Sequence, residues 1–168
     1  TDLLEQLGAR LFQLYEEGVC PVVVIDEAQL VPHKETFDEI RLLTNYQLDD
    51  CNLLSLVLVG QPELRRRLKH RAYEPLRQRI GMQYDLKPLD LDETGEYLDF
   101  RMETAGGRRG VFRTSAVERI FQYANGIPRK INHAASLALL ESFGRGLQQV
   151  DGQVMDAVML ELEGLSPV

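Results

Sequence analysis

Two runs of apolar residues constrain the fold of this chain more than any other feature. Residues 21–25 read PVVVI, and residues 53–59 read LLSLVLV with a single polar residue. Strands with this pattern are usually buried on both faces, as in a parallel sheet that is covered by helices. A third and weaker strand is predicted at residues 82–86, which read MQYDL. The runs therefore predict an α/β fold that is built on a parallel sheet.

Apolar residues also recur at helical spacing between and after these runs. In the first half, the predicted helices span residues 2–17, 34–47 and 62–79. After Pro88 only helices are predicted, at residues 91–104, 114–124, 128–144 and 151–163, with Asp151 as the N-cap of the last. Alternating strands and helices are typical of a doubly wound sheet. We therefore predict a sheet-containing part at residues 1–90 and an all-helical part at residues 91–168.

Two adjacent carboxylates, Asp26 and Glu27, follow the first predicted strand directly. Ligands of open α/β sheets bind at the carboxyl ends of the strands. One carboxylate there can hold a hydrated Mg²⁺, and the next can orient a water molecule for attack on a γ-phosphate. The alternative is a polar turn in which both acids only cap the following helix. We favour the first interpretation because the acids stand where such a sheet binds its ligand.

Three further positions combine a polar side chain with the end of an element. Gln61 follows the second strand, and Arg77 and Arg79 lie at the end of the next helix. Arg129 lies in the first turn of a helix after a Gly-x-Pro bend, where the helix dipole disfavours a cation by about 0.3–1 kcal/mol. From the residues alone, Gln61 is equally a turn residue, and Arg77 and Arg79 are equally a solvated helix end.

Four segments together resemble the AAA+ ATPases of the general secretion pathway, the ExeA/GspA type, which are related to TniB-like transposition ATPases. In chain order these segments read VVVIDEAQ, LVLVGQPEL, LRQRI and GIPRKIN. The resemblance implies a truncated P-loop sheet followed by a helical lid, with ATP and Mg²⁺ as cofactors. It also implies site residues: Asp26 for the metal, Glu27 for the attacking water, Gln61 as the first sensor, Arg79 or alternatively Arg77 as the arginine finger, and Arg129 as the second sensor.

The same resemblance implies where such a protein acts. Its relatives assemble into rings or filaments and work with secretion-machinery components at the cytoplasmic face of the bacterial inner membrane, where they help to build the secretin channel. A DNA-transaction ATPase is the alternative, with the basic residues 65–71 on the phosphate backbone, although a net charge of -7 disfavours a protein that coats nucleic acid. A non-catalytic scaffold is a third possibility.

The sequence predicts neither a membrane span nor a zinc site. No run reaches the roughly 18 apolar residues of a membrane span. The two cysteines lie far apart, so they predict no zinc site.

The sequence departs from the family pattern at one essential motif. No GxxxxGK[ST] loop occurs in the 168 residues, and the family's loop precedes the strand that leads to Asp26. We therefore expect that the chain is a fragment, with the loop and the family's first two strands upstream of Thr1. The fragment alone should bind ATP weakly or not at all, because the N–H cradle and its lysine are absent. Its sheet should be left open or be completed by another chain.

Overall fold

The computed structural model describes residues 2–49 and 51–164. The chain divides into two compact units, residues 1–84 and 85–168. Residues 85–90, which precede the first helix of the second unit, belong to that unit. Within it the Leu89 N–H donates to the Gly126 carbonyl at 2.9 Å. The units thus divide six residues before the boundary that the sequence suggests. The roles assigned to the two parts stay predictions.

The first unit alternates helices and strands. Its elements are α1 (Asp2–Glu16), β1 (Val22–Ile25), α2 (Lys34–Leu43), β2 (Ser55–Leu58), α3 (Pro62–Leu68) and α4 (Glu74–Arg77). Short 3₁₀ turns lie at Ala28–Leu30 and Arg71–Tyr73. The strands β1 and β2 pair in parallel, with Val22 opposite Ser55 and Ile25 opposite Leu58. The predicted fold class, α/β with a small parallel sheet followed by helices, is therefore confirmed.

The two faces of this sheet differ in burial. On one face, Ile25, Leu56 and Leu58 pack against a core that α2, α3 and α4 supply. On the other face, Val22 and Val24 are each 58% exposed and Val57 is 43% exposed. The expectation that both faces are buried is wrong for the described residues, because the helices that follow the two strands pack on the same face. The two-stranded sheet is open, as we expected.

The predicted strand at residues 82–86 does not form. Its apolar side chains Met82, Tyr84 and Leu86 are 86%, 83% and 89% exposed. An extended segment joins a sheet only when a neighbouring strand offers its N–H and C=O groups. Among the described residues β1 and β2 pair only with each other, so alternation of side chains alone cannot produce the strand.

The predicted helix over residues 62–79 is interrupted. It ends at Leu68, turns through Arg71–Tyr73 and resumes as α4. Pro75 lies in the first turn of α4, where its missing N–H donor is tolerated, and its ring would clash with the carbonyl of residue 71 in a continuous helix. The His70 Nδ1 accepts from the Ala72 N–H at 3.2 Å and stabilises the intervening turn. The break places Arg77 and Arg79 on a short separate helix and the turn that follows it.

The described residues of the second unit form four helices, whose ends agree with the prediction to within one residue. They are α5 (Leu91–Thr104), α6 (Thr114–Ala124), α7 (Pro128–Gly144) and α8 (Gly152–Gly164). Asp90 and Glu93 form a reciprocal capping box at the start of α5. The Asp151 carboxylate accepts the N–H groups of Gln153 and Val154, at 3.0 and 3.1 Å, so its predicted capping role is confirmed. None of the helices described here is both long and apolar enough to cross a bilayer.

Candidate active site

The carboxyl ends of β1 and β2 bring Asp26, Glu27 and Gln61 to one edge of the sheet. Hydrogen bonds continue beyond the two strands at this edge. The Val59 N–H donates to the Ile25 carbonyl at 2.9 Å, and the Ala28 N–H donates to the Val59 carbonyl at 2.9 Å. These two bonds fix the turns after both strands beside each other. Three of the side chains predicted from the first unit, those of Asp26, Glu27 and Gln61, therefore share one edge.

Glu27 adopts a backbone conformation that is unusual for a residue with a side chain. Its φ of 49° and ψ of 36° lie in the left-handed region, which costs about 1–2 kcal/mol for an L-residue. The Asp26 Oδ1 accepts the Glu27 N–H at 2.7 Å, and the fully buried Ala28 holds the turn on its other side. Such strain persists where the surroundings impose it and is concentrated at functional sites. The turn leaves both carboxylates exposed at the end of β1.

A residue that the sequence interpretation missed, Gln29, connects the members of this edge. Its Nε2 donates to the Glu27 Oε2, and its Oε1 accepts the backbone N–H of Gln61 at 3.1 Å. One side-chain amide thus joins the acid after β1 to the turn after β2. Gln29 lies two residues after Glu27 in the DEAQ segment, but a glutamine in a turn has no periodic signal that would distinguish it.

Gly60 provides the space that this amide occupies. A Cβ atom at residue 60 would lie 2.7 Å from the Gln29 Oε1 and 2.9 Å from the Leu64 Cδ2. Both distances are shorter than a normal carbon contact. The glycine before Gln61 therefore allows the Gln29 amide to approach the main chain at this point.

Arg67 fixes the main chain of the turn that carries Gln29. Its guanidinium donates to the carbonyl oxygens of Gln29 at 3.2 Å, of Val31, and of Pro32 at 3.1 Å. A planar guanidinium with five donors is suited to several acceptors at once. One side chain of α3 thus binds three carbonyl oxygens of the segment after Glu27.

Two aromatic rings complete the environment of Arg67. The guanidinium carbon lies 4.9 Å from the Phe37 ring centroid and 5.4 Å from that of Tyr73, within cation–π range. The Arg67 Nε also donates to the Tyr73 Oη at 2.9 Å. Arg67 is therefore a packed, hydrogen-bonded residue rather than part of a solvated helix face. The neighbouring Arg66 forms an ion pair with Glu63. These contacts reduce the charge that the basic run 65–71 presents to a polyanion.

The two arginines proposed as alternative fingers differ in their contacts. The Arg77 Nη2 pairs with the Glu74 carboxylate, and this hydrogen bond holds the pKa of Glu74 below its usual value. Arg79 is exposed, and its side chain makes no hydrogen bond or ion pair within residues 2–49 and 51–164. Of the two, Arg79 has the guanidinium that is available to an incoming anion.

Arg129 lies in the second unit, at the start of α7. Asn125 and Gly126 both have positive φ, and a Cβ at residue 126 would lie 1.9 Å from the Leu89 carbonyl oxygen. Glycine is therefore required for the turn that sets the direction of α7. This helix has no side-chain N-cap and no acid in its first turn, and Arg129 is exposed there. Its positive end is not neutralised, which favours an anionic ligand.

Comparison with known proteins adds an independent line of evidence. Residues 1–68 match the family model described as an AAA domain. General secretion pathway protein A of Aeromonas hydrophila is 36% identical over 149 residues, which cover 88% of this chain and 27% of that protein. Residues 1–68 are therefore similar to an AAA domain. The predicted resemblance is thus confirmed, and the match includes the strands, Asp26, Glu27 and Gln61.

Two solved structures share this fold. The ORC2 protein of Aeropyrum pernix, in its ADPNP–ADP complexes, has a TM-score of 0.65 and 19% identity over 97% of this chain and 46% of its own. The RuvB Holliday junction branch migration motor of Thermotoga maritima has a TM-score of 0.60 and 17% identity over 84% and 44% of the two chains. The chain therefore spans less than half of these relatives and about a quarter of the secretion protein.

The carboxylates at the sheet edge fit a particular kind of metal site. Within the described residues, no three His, Cys, Asp or Glu side chains are grouped so that they can hold an ion by themselves. Asp26 offers a single exposed carboxylate, one oxygen of which already accepts an N–H. Mg²⁺ retains several waters and takes one or two carboxylates together with substrate phosphates. The residues thus fit a hydrated Mg²⁺ that arrives with a nucleotide.

Proposed function

We propose that the full-length protein is a Mg²⁺-dependent ATPase, in which residues 1–90 supply the hydrolytic edge and residues 91–168 the helical lid. The observation that carries the proposal is the placement of Asp26, Glu27 and Gln61 at one sheet edge in a chain that matches the AAA domain. Glu27 accepts a proton from water as the water oxygen attacks the γ-phosphorus. The bond between this phosphorus and the β,γ-bridging oxygen then breaks, giving ADP and phosphate.

The other polar residues of the edge complete the assignment. Asp26 holds the hydrated Mg²⁺, which supplies charge neutralisation at the phosphate oxygens when it is bound. Gln61 donates its side-chain amide to the γ-phosphate or to the attacking water.

Two arginines stabilise phosphate charge in this proposal. Arg79 is the arginine finger, supplied to the nucleotide of a neighbouring subunit, because it is exposed and Arg77 is engaged by Glu74. This role requires self-association into a ring or a filament. Arg129 is the second sensor and binds a phosphate group at the start of α7, where the helix dipole adds to its charge.

A phosphate-binding loop is the component that these residues do not contain. The 168 residues include no GxxxxGK[ST] motif, and the chain spans only 27% of its secretion relative. We infer that the loop lies elsewhere in the full-length protein. The isolated chain should then show no ATP binding at micromolar concentrations by calorimetry. Micromolar affinity for MgATP in the isolated chain would contradict this inference.

The biological role we propose is that of a secretion-pathway ATPase for secretin assembly at the cytoplasmic face of the inner membrane. The 36% identity to General secretion pathway protein A supports it. Its partners would be further copies of the same protein and components of the secretion machinery. A DNA-transaction role has less support, because Arg67 and Arg66 are already engaged within the first unit. Steeply salt-dependent DNA binding by the full-length protein would reverse this preference.

The Glu27→Gln variant of the full-length protein tests the proposal. Removal of the base should lower kcat by about 100-fold or more, while ATP binding is retained. Steady-state phosphate release and calorimetric ATP affinity measure the two effects. Glu118→Gln is the control, since Glu118 is exposed on α6 in the other unit. Hydrolysis at the normal rate in Glu27→Gln would remove Glu27 from its proposed role.

A further inference from the structure

We propose that Gln29 is a positioning residue of the hydrolytic site, whose side-chain amide joins the Glu27 carboxylate to the turn that carries Gln61. The inference rests on the proposed ATPase function and adds a residue to it. Through this amide, the orientation of the base follows the position of the residue that contacts the γ-phosphate. Gln29 is not a catalytic residue in this account, because it acts through Glu27 and Gln61.

Both polar atoms of the Gln29 side chain are used in this connection. The Nε2 donates to the Glu27 Oε2, and the Oε1 accepts the Gln61 N–H at 3.1 Å. A carboxylate that accepts a hydrogen bond on one oxygen has its plane and rotamer restricted, while the other oxygen stays available to water. The amide is therefore arranged to orient the base without occupying both of its oxygens.

Two neighbouring residues favour this single arrangement of Gln29. Arg67 holds the Gln29 carbonyl at 3.2 Å, so the main chain of the residue is fixed from α3. Gly60 leaves the space for the Oε1, since a Cβ there would approach to 2.7 Å. The side chain is thus confined between a fixed backbone and the turn after β2.

The chemistry of the amide restricts which side chain can serve at residue 29. Glutamate keeps the length but places a second negative charge beside Glu27 and cannot accept and donate in the same way. Methionine keeps most of the volume and loses both hydrogen bonds. Gln29→Met therefore separates the hydrogen-bonded connection from simple packing.

The first test is ATP turnover by the full-length Gln29→Met variant. Loss of orientation should lower kcat by roughly 10- to 100-fold, with the calorimetric ATP dissociation constant changed by less than about twofold. This division between kcat and affinity is not expected from a general loss of structure, and the melting temperature checks the fold. Gln122→Met, at an exposed position of α6, is the matched control. A kcat for Gln29→Met within about twofold of the unmodified protein would overturn the proposal.

A second test does not depend on the methionine variant. Gly60→Ala should lower kcat because the added Cβ displaces the Gln29 Oε1. In a Gln29→Ala background this collision is absent, so Gly60→Ala should lower kcat no further. An equal decrease in both backgrounds would assign the effect to the contact with Leu64 and would also overturn the proposal.

Comparison of Gln29→Met with Glu27→Gln distinguishes this inference from the proposed function. If Glu27→Gln abolishes turnover and Gln29→Met does not affect it, the positioning role of Gln29 fails and the ATPase assignment stands. If turnover is unchanged in Glu27→Gln, or the full-length protein hydrolyses no ATP, the proposed function fails and the inference fails with it.

Discussion

The two units of this chain differ in the contacts that stabilise each of them internally. The helical unit has a single buried core that includes Ile120, Ile131, Val154 and Met155, and its helices α5 and α8 begin with side-chain caps. The sheet-containing unit has two separate apolar clusters and leaves one face of its sheet exposed. The edge that carries its candidate site residues is held by polar contacts, among them those of Gln29 and Arg67.

This difference separates stability from function within one chain. Burial of apolar surface stabilises at roughly 25 cal/mol per Å² and needs no particular orientation. Hydrogen bonds are individually worth only about 0.5–1.5 kcal/mol, but they specify direction. A site that has to orient a water and a phosphate needs the second kind of contact. The sheet edge has contacts of this kind, and among the described residues the apolar core of its unit is divided into two clusters.

The largest predicted effect is the behaviour of the two units when they are produced separately. Residues 85–168 should unfold cooperatively in urea, because their core is continuous. Residues 1–84 should show a broad transition and bind a hydrophobic dye, since the valine face of the sheet is exposed. Circular dichroism and dye fluorescence measure both properties. A cooperative transition for residues 1–84 together with its absence for residues 85–168 would contradict the comparison.

The next largest predicted effect is a difference in the free energy of unfolding between a core substitution and a strand substitution. Met155 is fully buried, so Met155→Ala should lower the free energy of unfolding by about 2–5 kcal/mol. Val24 is 58% exposed in β1, so Val24→Ala should change it by less than about 1 kcal/mol. Urea denaturation of the 168-residue chain compares the two. Equal losses would mean that the valine face is covered in solution.

The smallest predicted effect concerns the cap of α8. Asp151→Ala removes the acceptor of two N–H groups and should cost about 1 kcal/mol. Asp49→Ala is the control at an exposed position of the first unit, with an expected change within about 0.5 kcal/mol. Denaturation midpoints resolve the difference. If the two variants were equally stable, the cap would contribute nothing to the helical unit.

The helical unit could be predicted closely from the sequence because its boundaries are marked locally. Gly126 and Pro128 separate α6 from α7, and Asp151 begins α8. The predictions that were wrong in the first unit failed for non-local reasons. A strand at residues 82–86 needs a partner that the local pattern cannot supply. The break between α3 and α4 is the exception, since Pro75, in the first turn of α4, was a local signal against a continuous helix.

The candidate site could be predicted only in part for the same reason. Asp26, Glu27 and Gln61 follow apolar runs, and the pairing of two parallel strands then brings them together. The bond between the side chain of Gln29 and the main chain of residue 61 depends on the register of β1 against β2, which the sequence does not state. The role of Arg67 could not be predicted, because it lies in a run of basic residues and the sequence does not indicate which of them is packed against the Gln29 turn.

The central claim is that Glu27 acts on a water molecule at the edge of the sheet. Single-turnover release of γ-phosphate, measured at saturating MgATP in the full-length protein and in Glu27→Gln, tests it most directly. The account predicts that the variant retains bound ATP and releases phosphate at least about 100-fold more slowly. Equal rates of release in the two proteins would contradict it.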